Sequence, residues 1–326
     1  MVTVLLSVFN GEKWLEDCIL SILNQTFKDF EFLIIDDGSN DGSLEIIKNF
    51  YNLDKRIRYI TQKNIGLTKS LNKGINLAKG EWIARIDADD IALPNRLYLQ
   101  LKYAKKNNLS LVGCQSQIID PKGKIKYRVK VPCDHKNLYI NLQKQKRFFS
   151  HSSALFKKSI VINLGGYREI MEKAQDYDLW LRIAEVSKIG AINYIGILLR
   201  EHDSRISYIS NGLDQRKFAH YANIAHIIRK SFPNYKDPLD YSCNLKIEEF
   251  KEFVNNILAN TGTLEFYKTL YIYNKKVNKV NFLLRFLSIP YYFNNLQLLK
   301  TLFFWKNNGD FVSNKIAKSW IKNLDN

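Results

Sequence analysis

The stretch that decides the fold is WIARIDADD, residues Trp82–Asp90, in which a short apolar run passes directly into three carboxylates within four residues. Three apolar runs precede it, at Val2–Val8, Phe30–Ile35 and Ile57–Thr61, and a segment of helical spacing follows each. Apolar strands that alternate with helices predict a buried, mostly parallel sheet with right-handed crossovers. The predicted helices are Lys13 to about Asn24, Ser43–Tyr51 with Asp41 as its N-cap, and Leu67–Ala78.

Polar clusters follow three of these four strands, at the point where each strand ends. Phe9-Asn10 follows the first strand, Asp36-Asp37 the second and Asp87–Asp90 the fourth. Open α/β sheets bind their ligands at this edge. The chain has neither G-x-G-x-x-G after the first strand nor G-x-x-x-x-G-K-[ST] anywhere, so a glycine-rich phosphate cradle of the usual kinds is excluded. We therefore expect a divalent metal ion to hold the phosphates of a ligand.

Three acidic clusters are candidates for chemistry, and each has a simpler alternative. The carboxylates of Asp87–Asp90 repel one another unless a cation lies among them, but a solvated acidic turn has the same composition. Asp36-Asp37 is typical of a carboxylate that accepts from a base or a ribose, or of a strand-ending turn. Asp176 precedes the apolar residues of Gln175–Arg182, where it fits a general base or a charge on the first turn of a helix.

The second half of the chain has a different pattern. Leu111–Ile119 and Lys124–Val131 are predicted strands around the turn Asp120–Gly123, and Asn137–Gln145 is a predicted helix. After about Tyr208 only helices are predicted. Their expected ranges are Leu213–Ser231, Ile247–Asn260, Leu264–Lys276 and Phe282–Trp305.

The composition is that of a folded, strongly basic chain. Hydrophobic residues make up 46% and charged residues 25% of the 326 residues, which excludes disorder over most of the length. The net charge is +17, and residues 121–160 alone carry 11 basic side chains and one acidic side chain. Such a patch attracts phosphates, anionic lipid or nucleic acid. Four scattered cysteines without a C-x-x-C pair indicate a reducing compartment.

Four stretches, in this order and spacing, resemble family 2 glycosyltransferases of the GT-A fold, the inverting type found in bacterial O-antigen and capsule assembly. The stretches are LLSVFNGEKWLEDCILSILNQTFKDFEFLIIDDGSNDGS, NIGLTKSLNKGINLAKGEWIARIDADDIALPNRL, HSSALFKKSIVINLGGYREIMEKAQDYDLWLRIAE and LLREHDSRIS. The resemblance covers Val2 to about Ser207. It implies an α/β GT-A nucleotide-diphospho-sugar transferase domain over residues 1–210, with a Rossmann-like, mostly parallel sheet. Residues 1–110 would form its nucleotide-binding half and residues 111–210 its acceptor half, followed by a helical C-terminal region, 211–326.

The resemblance also assigns expected roles to residues that match the family's motifs. The expected nucleotide-binding residues are Ser7, Phe9, Glu12, Asp37 as acceptor from the uracil ring, Lys69, Asn72, Asp87 and Ala88. The expected metal ligands are Asp87, Asp89 and His202, and Asp176 is the expected catalytic base. The sequence departs from the family where Ser-Val-Phe-Asn stands in place of Pro-Thr-Tyr-Asn and where Gln175 stands in place of a glutamate.

The function that this resemblance implies is that of a hexosyltransferase dependent on manganese or magnesium, Mn²⁺ or Mg²⁺. It would move a hexose or N-acetylhexosamine from a UDP-sugar to a hydroxyl of a glycan acceptor linked to polyprenyl diphosphate. A sugar-nucleotide pyrophosphorylase is the second enzyme hypothesis, although Asn10–Lys13 lacks the Gly- and Arg/Lys-rich loop that it requires. A basic nucleic-acid-binding protein is the alternative from another class, but no helix-turn-helix, zinc or RNP pattern is present, and we expect no nucleic-acid partner.

We expect the enzyme to work at the cytoplasmic face of the cell membrane without spanning it. The N-terminus is not typical of a signal peptide, and the longest uncharged tract near the C-terminus, Phe286–Leu299, is too short for a membrane span. An anionic membrane surface is the expected partner of the basic residues Lys122, Lys124, Lys126, Arg128, Lys144, Lys146 and Arg147 and of the aromatic tail Phe282–Trp305. The alternative use of the tail is an ordinary core or a homodimer interface.

Overall fold

The structure is a computed structural model that describes residues 1–203, 205, 213–240, 244–260, 315–322 and 324. The chain forms two compact units. The first comprises Met1–Leu142 and Lys146–His202, and the second comprises Gln143–Gln145 and Asp203–Asn326. The helices predicted at Leu264–Lys276 and Phe282–Trp305 lie outside the described residues.

The first unit is built on one mixed sheet, to which nine strands contribute within the described part of the chain. They are β1 (Val2–Val8), β2 (Phe30–Asp36), β3 (Ile57–Thr61), β4 (Trp82–Arg85), β5 (Ile91–Ala92), β6 (Leu111–Ile119), β7 (Ile125–Val129), β8 (Leu155–Lys157) and β9 (Ile189–Arg200). Their order is β3-β2-β1-β4-β8-β6-β9-β5, and β7 pairs with β6 outside this path. The pairs among β3, β2, β1 and β4 are parallel, as the sequence predicts.

The other half of the sheet is mainly antiparallel. β8 runs antiparallel to both β4 and β6, and β7 forms the predicted hairpin with β6. β9 returns parallel to β6, and β5 pairs antiparallel with β9. The last pairing brings the end of β9 beside the residues that follow β4, which are the acidic cluster.

Seven helices accompany the sheet along the sequence, and two more follow it among the residues described between Leu213 and Asn260. They are α1 (Glu12–Leu23), α2 (Ser43–Leu53), α3 (Leu67–Leu77), α4 (Arg96–Lys106), α5 (His135–Gln143), α6 (Lys158–Asn163), α7 (Gln175–Val186), α8 (Leu213–Ser231) and α9 (Asn244–Asn260). None of the helices in the described part of the chain is long and apolar enough to cross a membrane.

Both faces of the central strands are covered, which explains their continuous apolar sequences. Every residue of β1 and β2 is buried. Val4 and Leu6 share one core cluster with Leu15 of α1. On β1, Leu5 lies so close to α3 that a Cβ at Gly74 would stand 2.4 Å from its Cδ1 atom. The predicted buried sheet is therefore confirmed, and α3 approaches it closely because residue 74 is glycine.

One local prediction is wrong. Gly42, not Asp41, occupies the N-cap position of α2, and no side chain caps this helix. The Asp41 carboxylate lies one residue earlier, where it accepts hydrogen bonds from the backbone N–H groups of Ser43 (3.0 Å) and Glu12 (3.1 Å). Asp41 therefore ties α2 to the loop after β1 instead of serving α2 alone.

The second unit contains a buried polar stripe on α8. His220, Asn223 and His226 are spaced three residues apart and lie buried. The Gln145 amide is 3.1 Å from Nδ1 of His220, and the Asn223 amide donates to the carbonyl of Gln143 (2.8 Å). Burial lowers the pKa of His220 to about 4, so this ring is neutral at pH 7.

Candidate active site

The carboxyl ends of β2, β1 and β4 meet at one edge of the sheet because these neighbouring strands are parallel. The loop after β1 is tied there to the loop after β2. The N–H of Gly11 donates to Ser43 Oγ (2.9 Å), and the N–H of Asn40 donates to Asn10 Oδ1 (2.9 Å). A Cβ at Gly11 would stand 2.6 Å from Val8 Cγ2 and 3.4 Å from the Cβ of Ala88. The predicted nucleotide loop and the acidic cluster are thus adjacent.

The predicted nucleotide-binding residues at the end of β1 have different surroundings. Ser7 is buried, whereas Phe9 is 51% exposed at the start of the loop. Glu12 accepts a hydrogen bond from the N–H of Gly42 at 2.5 Å. Phe9 therefore has an open ring face for stacking, while Glu12 helps to hold the loop.

Asp37 is almost fully buried, and its carboxylate organises the loop after β3. One oxygen accepts from the N–H of Ile65 (3.0 Å) and the Gln62 amide (2.8 Å), and the other accepts from the N–H of Gly66 (2.9 Å). Gly66 precedes α3 with φ of 88°, a left-handed conformation that favours glycine. Sequence reasoning missed this structural role, and the contact with uracil stays a prediction.

Lys69 and Asn72, both on α3, face residues that precede α7. The Lys69 ammonium lies 3.7 Å from the Glu169 carboxylate, and both side chains are exposed. Asn72 makes two hydrogen bonds with the backbone of Tyr167, one donated by its amide (2.7 Å) and one accepted by its carbonyl (2.8 Å). Asn72 therefore fixes Tyr167, and its contact with a nucleotide stays a prediction.

The two outer carboxylates of Asp87-Ala88-Asp89 point to different partners. Asp87 forms an ion pair with Arg85, and the Asp87 N–H donates to Ser152 Oγ (3.0 Å). Asp89 lies 2.8 Å from Nε2 of His202. Because β9 runs beside β5, residues far apart in the sequence meet here, as the resemblance implies.

Arg200 and Trp14 hold His202 against Asp89. The His202 ring stacks at a tilt on Trp14, with centroids 4.2 Å apart. The Arg200 guanidinium donates to the backbone carbonyl of Asp89 (3.1 Å) and to Asp17 (3.1 Å). The Arg200 N–H donates to Asp90 Oδ1 (3.0 Å), which fixes the end of β9 to the acidic turn.

Asp89 and His202 are two side chains that could bind a divalent ion. Among the described residues, no group of three or more His, Cys, Asp or Glu side chains is arranged as a metal site. Asp89 and His202 offer one oxygen and one nitrogen at contact distance, and the imidazole nitrogen favours Mn²⁺ over Mg²⁺, which prefers oxygen ligands. Such ions usually complete their shell with water and substrate phosphate oxygens, so two protein ligands are sufficient.

Asp176 lies on the first turn of α7, after Ala174 in a left-handed conformation. Its carboxylate accepts from the N–H of Tyr177 (2.8 Å). Burial and, to a smaller extent, the negative charge of Asp87 raise the pKa of Asp176 to about 6, while the charge of Arg85 opposes the rise. A carboxylate with this pKa is ionised at pH 7 and still basic enough to take a proton.

Asp178, two residues further along α7, has a purely structural environment. It is fully buried and paired with Arg182 (2.8 Å) and Arg168 (3.2 Å). Four apolar residues that follow it on α7 are buried: Leu179, Leu181, Ile183 and Ala184. The two acidic residues of the motif thus differ: Asp176 lies within the electrostatic reach of Asp87, and Asp178 is paired with two arginines in the core.

Three residues near Asp87 and Asp176 were missed by sequence reasoning: Arg85, His151 and Tyr167. Arg85 is 1% exposed, and its Nε and Nη1 atoms have no hydrogen-bond partner among the described residues. His151 lies 2.8 Å from the Tyr167 hydroxyl. Burial first, and then the charge of Arg85, lowers the pKa of His151 to about 3. The only signal in the sequence for any of the three was that Arg85 is a charged residue inside the apolar run Trp82–Ile86.

Comparison with known proteins identifies the class of enzyme. The family model for glycosyl transferase family 2 matches residues 3–165. The chain therefore belongs to glycosyl transferase family 2 and is a glycosyltransferase, which decides against the pyrophosphorylase hypothesis. It is 36% identical to an uncharacterized glycosyltransferase of Methanocaldococcus jannaschii over 231 residues, 69% of this chain and 79% of that protein. It is 30% identical to the O-antigen biosynthesis glycosyltransferase WbnJ of Escherichia coli over 250 residues, 76% of this chain and 97% of that protein.

Solved structures confirm the GT-A fold. S. aureus TarS 1–349 in complex with UDP-GlcNAc matches with a TM-score of 0.58 at 13% identity, over 99% of this chain and 92% of that chain. The mannosyltransferase PcManGT from Pyrobaculum calidifontis, in complex with GDP-Man and Mn²⁺, matches with a TM-score of 0.54 at 19% identity, over 99% of this chain and 86% of that chain.

Proposed function

We propose that this glycosyltransferase transfers a hexose or N-acetylhexosamine from a UDP-sugar to a hydroxyl of a glycan acceptor, with inversion of the anomeric configuration. The observation that carries the proposal is the position of Asp176, a carboxylate with a raised pKa, within the electrostatic reach of Asp87 of the acidic cluster. A single displacement requires a base for the acceptor hydroxyl and a site that binds the leaving diphosphate. Asp176 and the acidic cluster would supply these two parts.

In the proposed reaction, Asp176 takes the proton of the acceptor hydroxyl while the hydroxyl oxygen attacks the anomeric carbon. The bond from that carbon to the phosphate oxygen breaks, and its electron pair leaves with the nucleoside diphosphate. The enzyme needs no nucleophile of its own for this step. Asp176 is suited to the role because a base with a pKa close to the working pH combines ionisation with basicity.

Asp89 and His202 would hold the divalent ion, and Asp87 would be available to the same ion and to the ribose. A bound Mn²⁺ or Mg²⁺ ion supplies positive charge that stabilises the leaving diphosphate. Arg200 and Trp14 orient this pair, as the contacts to Asp89 and His202 indicate. Arg85 restrains Asp87 through their ion pair.

UDP as the donor nucleotide is supported by the resemblance at Asp37 and by the UDP-GlcNAc complex of TarS. The GDP-Man complex of PcManGT makes a guanine nucleotide the competing hypothesis. The name of the WbnJ relative supports a role in surface polysaccharide synthesis. We further propose a polyprenyl-diphosphate-linked acceptor and a peripheral position at the cytoplasmic face of the membrane.

A donor panel tests this function. The full chain is incubated with UDP-, GDP- and dTDP-sugars in Mn²⁺, and the released nucleoside diphosphate is measured. We expect slow release of UDP from at least one UDP-sugar, in the absence of an acceptor, and faster release with a lipid extract that contains glycan precursors. Release of GDP alone would contradict the assignment of UDP, and release from none of the donors would contradict the proposed reaction.

A further inference from the structure

The strand β7 and its flanking residues form an exposed surface of unusual charge, which we call the basic strand (Lys122–Lys130). It carries a basic residue at every second position, and all five are exposed: Lys122, Lys124, Lys126, Arg128 and Lys130. The intervening Ile125 and Tyr127 are 58% and 37% exposed. No acidic residue occurs between Pro121 and Cys133. The basic strand therefore exposes five cations and two hydrophobic side chains. The register with β6 places Ile125 on the same face as Arg128 and Tyr127 on the opposite face.

The basic strand lies close to the acidic cluster of the candidate active site. Lys126 forms an ion pair with Glu201, which precedes His202 in the sequence. Arg200 donates a hydrogen bond to the carbonyl of Pro121 at 3.1 Å. The register between β6 and β7 slips at Ile118/Ile119, so β7 carries a bulge of the kind that re-aims side chains. One contact thus joins the basic strand directly to the residue beside His202.

Lysine on an edge strand also has a simpler purpose, which is to prevent pairing with other chains. One or two charges are enough for that purpose, and exposed Ile125 and Tyr127 would weaken it. Among the described residues, Lys126 is the one member of the row that lies within ion-pair distance of a carboxylate. Prevention of aggregation therefore does not explain five cations that alternate with exposed apolar side chains.

We propose that the basic strand docks the enzyme on the anionic phospholipid surface of a membrane, an inference that rests on the proposed lipid-linked acceptor. From Lys124 to Lys130, after the turn that contains Lys122, an extended chain spans ~20 Å, which is far wider than one diphosphate. Such a row matches several headgroups at once. Ile125 and Tyr127 suit the boundary between headgroups and acyl chains, where apolar and amphipathic side chains insert. Nucleic acid would meet the same cations, and of the two exposed apolar side chains Tyr127 offers a ring face for base stacking whereas Ile125 does not, so single-stranded DNA is the competing ligand in the test.

Docking through this surface would bring the acidic cluster close to the lipid headgroups, because Lys126 contacts Glu201 and His202 contacts Asp89. A sugar acceptor linked to a lipid diphosphate lies at that depth. Each basic residue near an anionic surface strengthens binding only about fivefold (~1 kcal/mol). Because the sum over a few such residues is modest, the association would be reversible.

Flotation of the full-length protein with vesicles tests the proposal. The vesicles contain phosphatidylcholine alone or with about a third of phosphatidylglycerol, and the salt is low or high. The test variant carries Lys124→Gln, Arg128→Gln and Lys130→Gln, which leaves the Lys126–Glu201 pair intact. The control variant loses the same charge elsewhere on the first unit, through Lys48→Gln, Lys105→Gln and Lys106→Gln, all at exposed positions. A third variant, Ile125→Ser, tests the apolar contribution.

We expect the wild type to bind anionic vesicles at low salt and to leave them at high salt. The test variant should bind about 100-fold more weakly, and the control variant should bind nearly as well as the wild type. Equal loss in both triple variants would overturn the proposal, because net charge alone would then explain binding. Tighter binding to single-stranded DNA than to vesicles, or release by inorganic pyrophosphate at low concentration, would also overturn it. Release of UDP from a UDP-sugar in solution should be the same in the wild type and in all variants. If the wild type itself releases no UDP, the proposed function is refuted, whereas the docking surface is not.

Discussion

Replacement of Asp176 by asparagine is expected to remove activity while it makes the protein more stable. Asparagine keeps the shape of the side chain but cannot take a proton, so kcat should fall by ~10²–10⁴, the usual contribution of a positioned base. Binding of the UDP-sugar should change little, because Asp176 serves the acceptor hydroxyl. Calorimetry of donor binding and the rate of UDP release measure the two effects separately.

The gain in stability follows from the raised pKa of Asp176. Because the pKa rises from 3.8 to about 6 on folding, ionisation opposes folding as the pH rises from 4 to above 6. The side chain is only half-buried, so the cost at pH 7.5 is roughly 1–3 kcal/mol. Asp176→Asn removes this cost, and chemical denaturation at pH 7.5 should show a higher free energy of unfolding than in the wild type. Wild-type activity should fall about tenfold between pH 7 and pH 5 as Asp176 becomes protonated.

Asp178→Asn is the matched control, two residues further along the same helix. Asp178 is buried and paired with Arg182 and Arg168, so its replacement should destabilise the protein by ~3–5 kcal/mol. Loss of less than tenfold in kcat for Asp176→Asn, or equal loss of donor binding, would refute the assignment of Asp176 as the base. Destabilisation of both variants to the same extent would refute the reasoning about the pKa.

Three further predictions concern other parts of the molecule. Asp89→Asn should abolish transfer and the metal-dependent part of UDP binding, because the site loses its carboxylate ligand; unchanged affinity for UDP in Mn²⁺ by calorimetry would contradict the metal assignment. Folding lowers the pKa of His220 to about 4, so protonation of this ring favours the unfolded chain. The contribution of His220 should lower the free energy of unfolding by about 2 kcal/mol as the pH falls from 7 to 5. His220→Gln should flatten this dependence, and a slope as steep as that of the wild type would show that His220 is not its source. Asp37→Asn should cost ~1–3 kcal/mol and speed hydrogen exchange at Ile65 and Gly66, whose N–H groups it binds; unchanged protection there would contradict the role of Asp37 in the loop.

The sequence was most informative where one local rule decides the structure. The apolar runs Val2–Val8 and Ile57–Thr61 are strands with those bounds, and Leu213–Ser231 is a helix with those bounds, because hydrophobic periodicity reports burial directly. The cap of α2 was placed one residue too early, since Asp41 and Gly42 both suit a helix start and the choice depends on the distant Glu12. The contact of Asp89 with His202 could be predicted from the resemblance alone, because nothing local to either residue indicates it.

Residues whose roles depend on packing between distant segments could not be predicted. Arg85 lies in an apolar run, and only the fold brings Asp176 within its electrostatic reach. A functional role for Asp37 was predicted from its place at a strand end, but its hydrogen bonds to Ile65 and Gly66 depend on the position of the loop after β3. Sequence reasoning thus predicted the edge of the sheet at which the candidate site residues gather, and the fold determined which groups pair with each carboxylate there.

The anomeric configuration of the first product tests the proposed single displacement with Asp176 as the base most directly. Proton NMR can follow the sugar released from an α-linked UDP-sugar in Mn²⁺, before the anomers equilibrate in water. Attack from the side opposite the diphosphate predicts that the β anomer appears first, and that Asp176→Asn slows its appearance by ~10²–10⁴. Initial appearance of the α anomer would contradict inversion and, with it, the role assigned to Asp176.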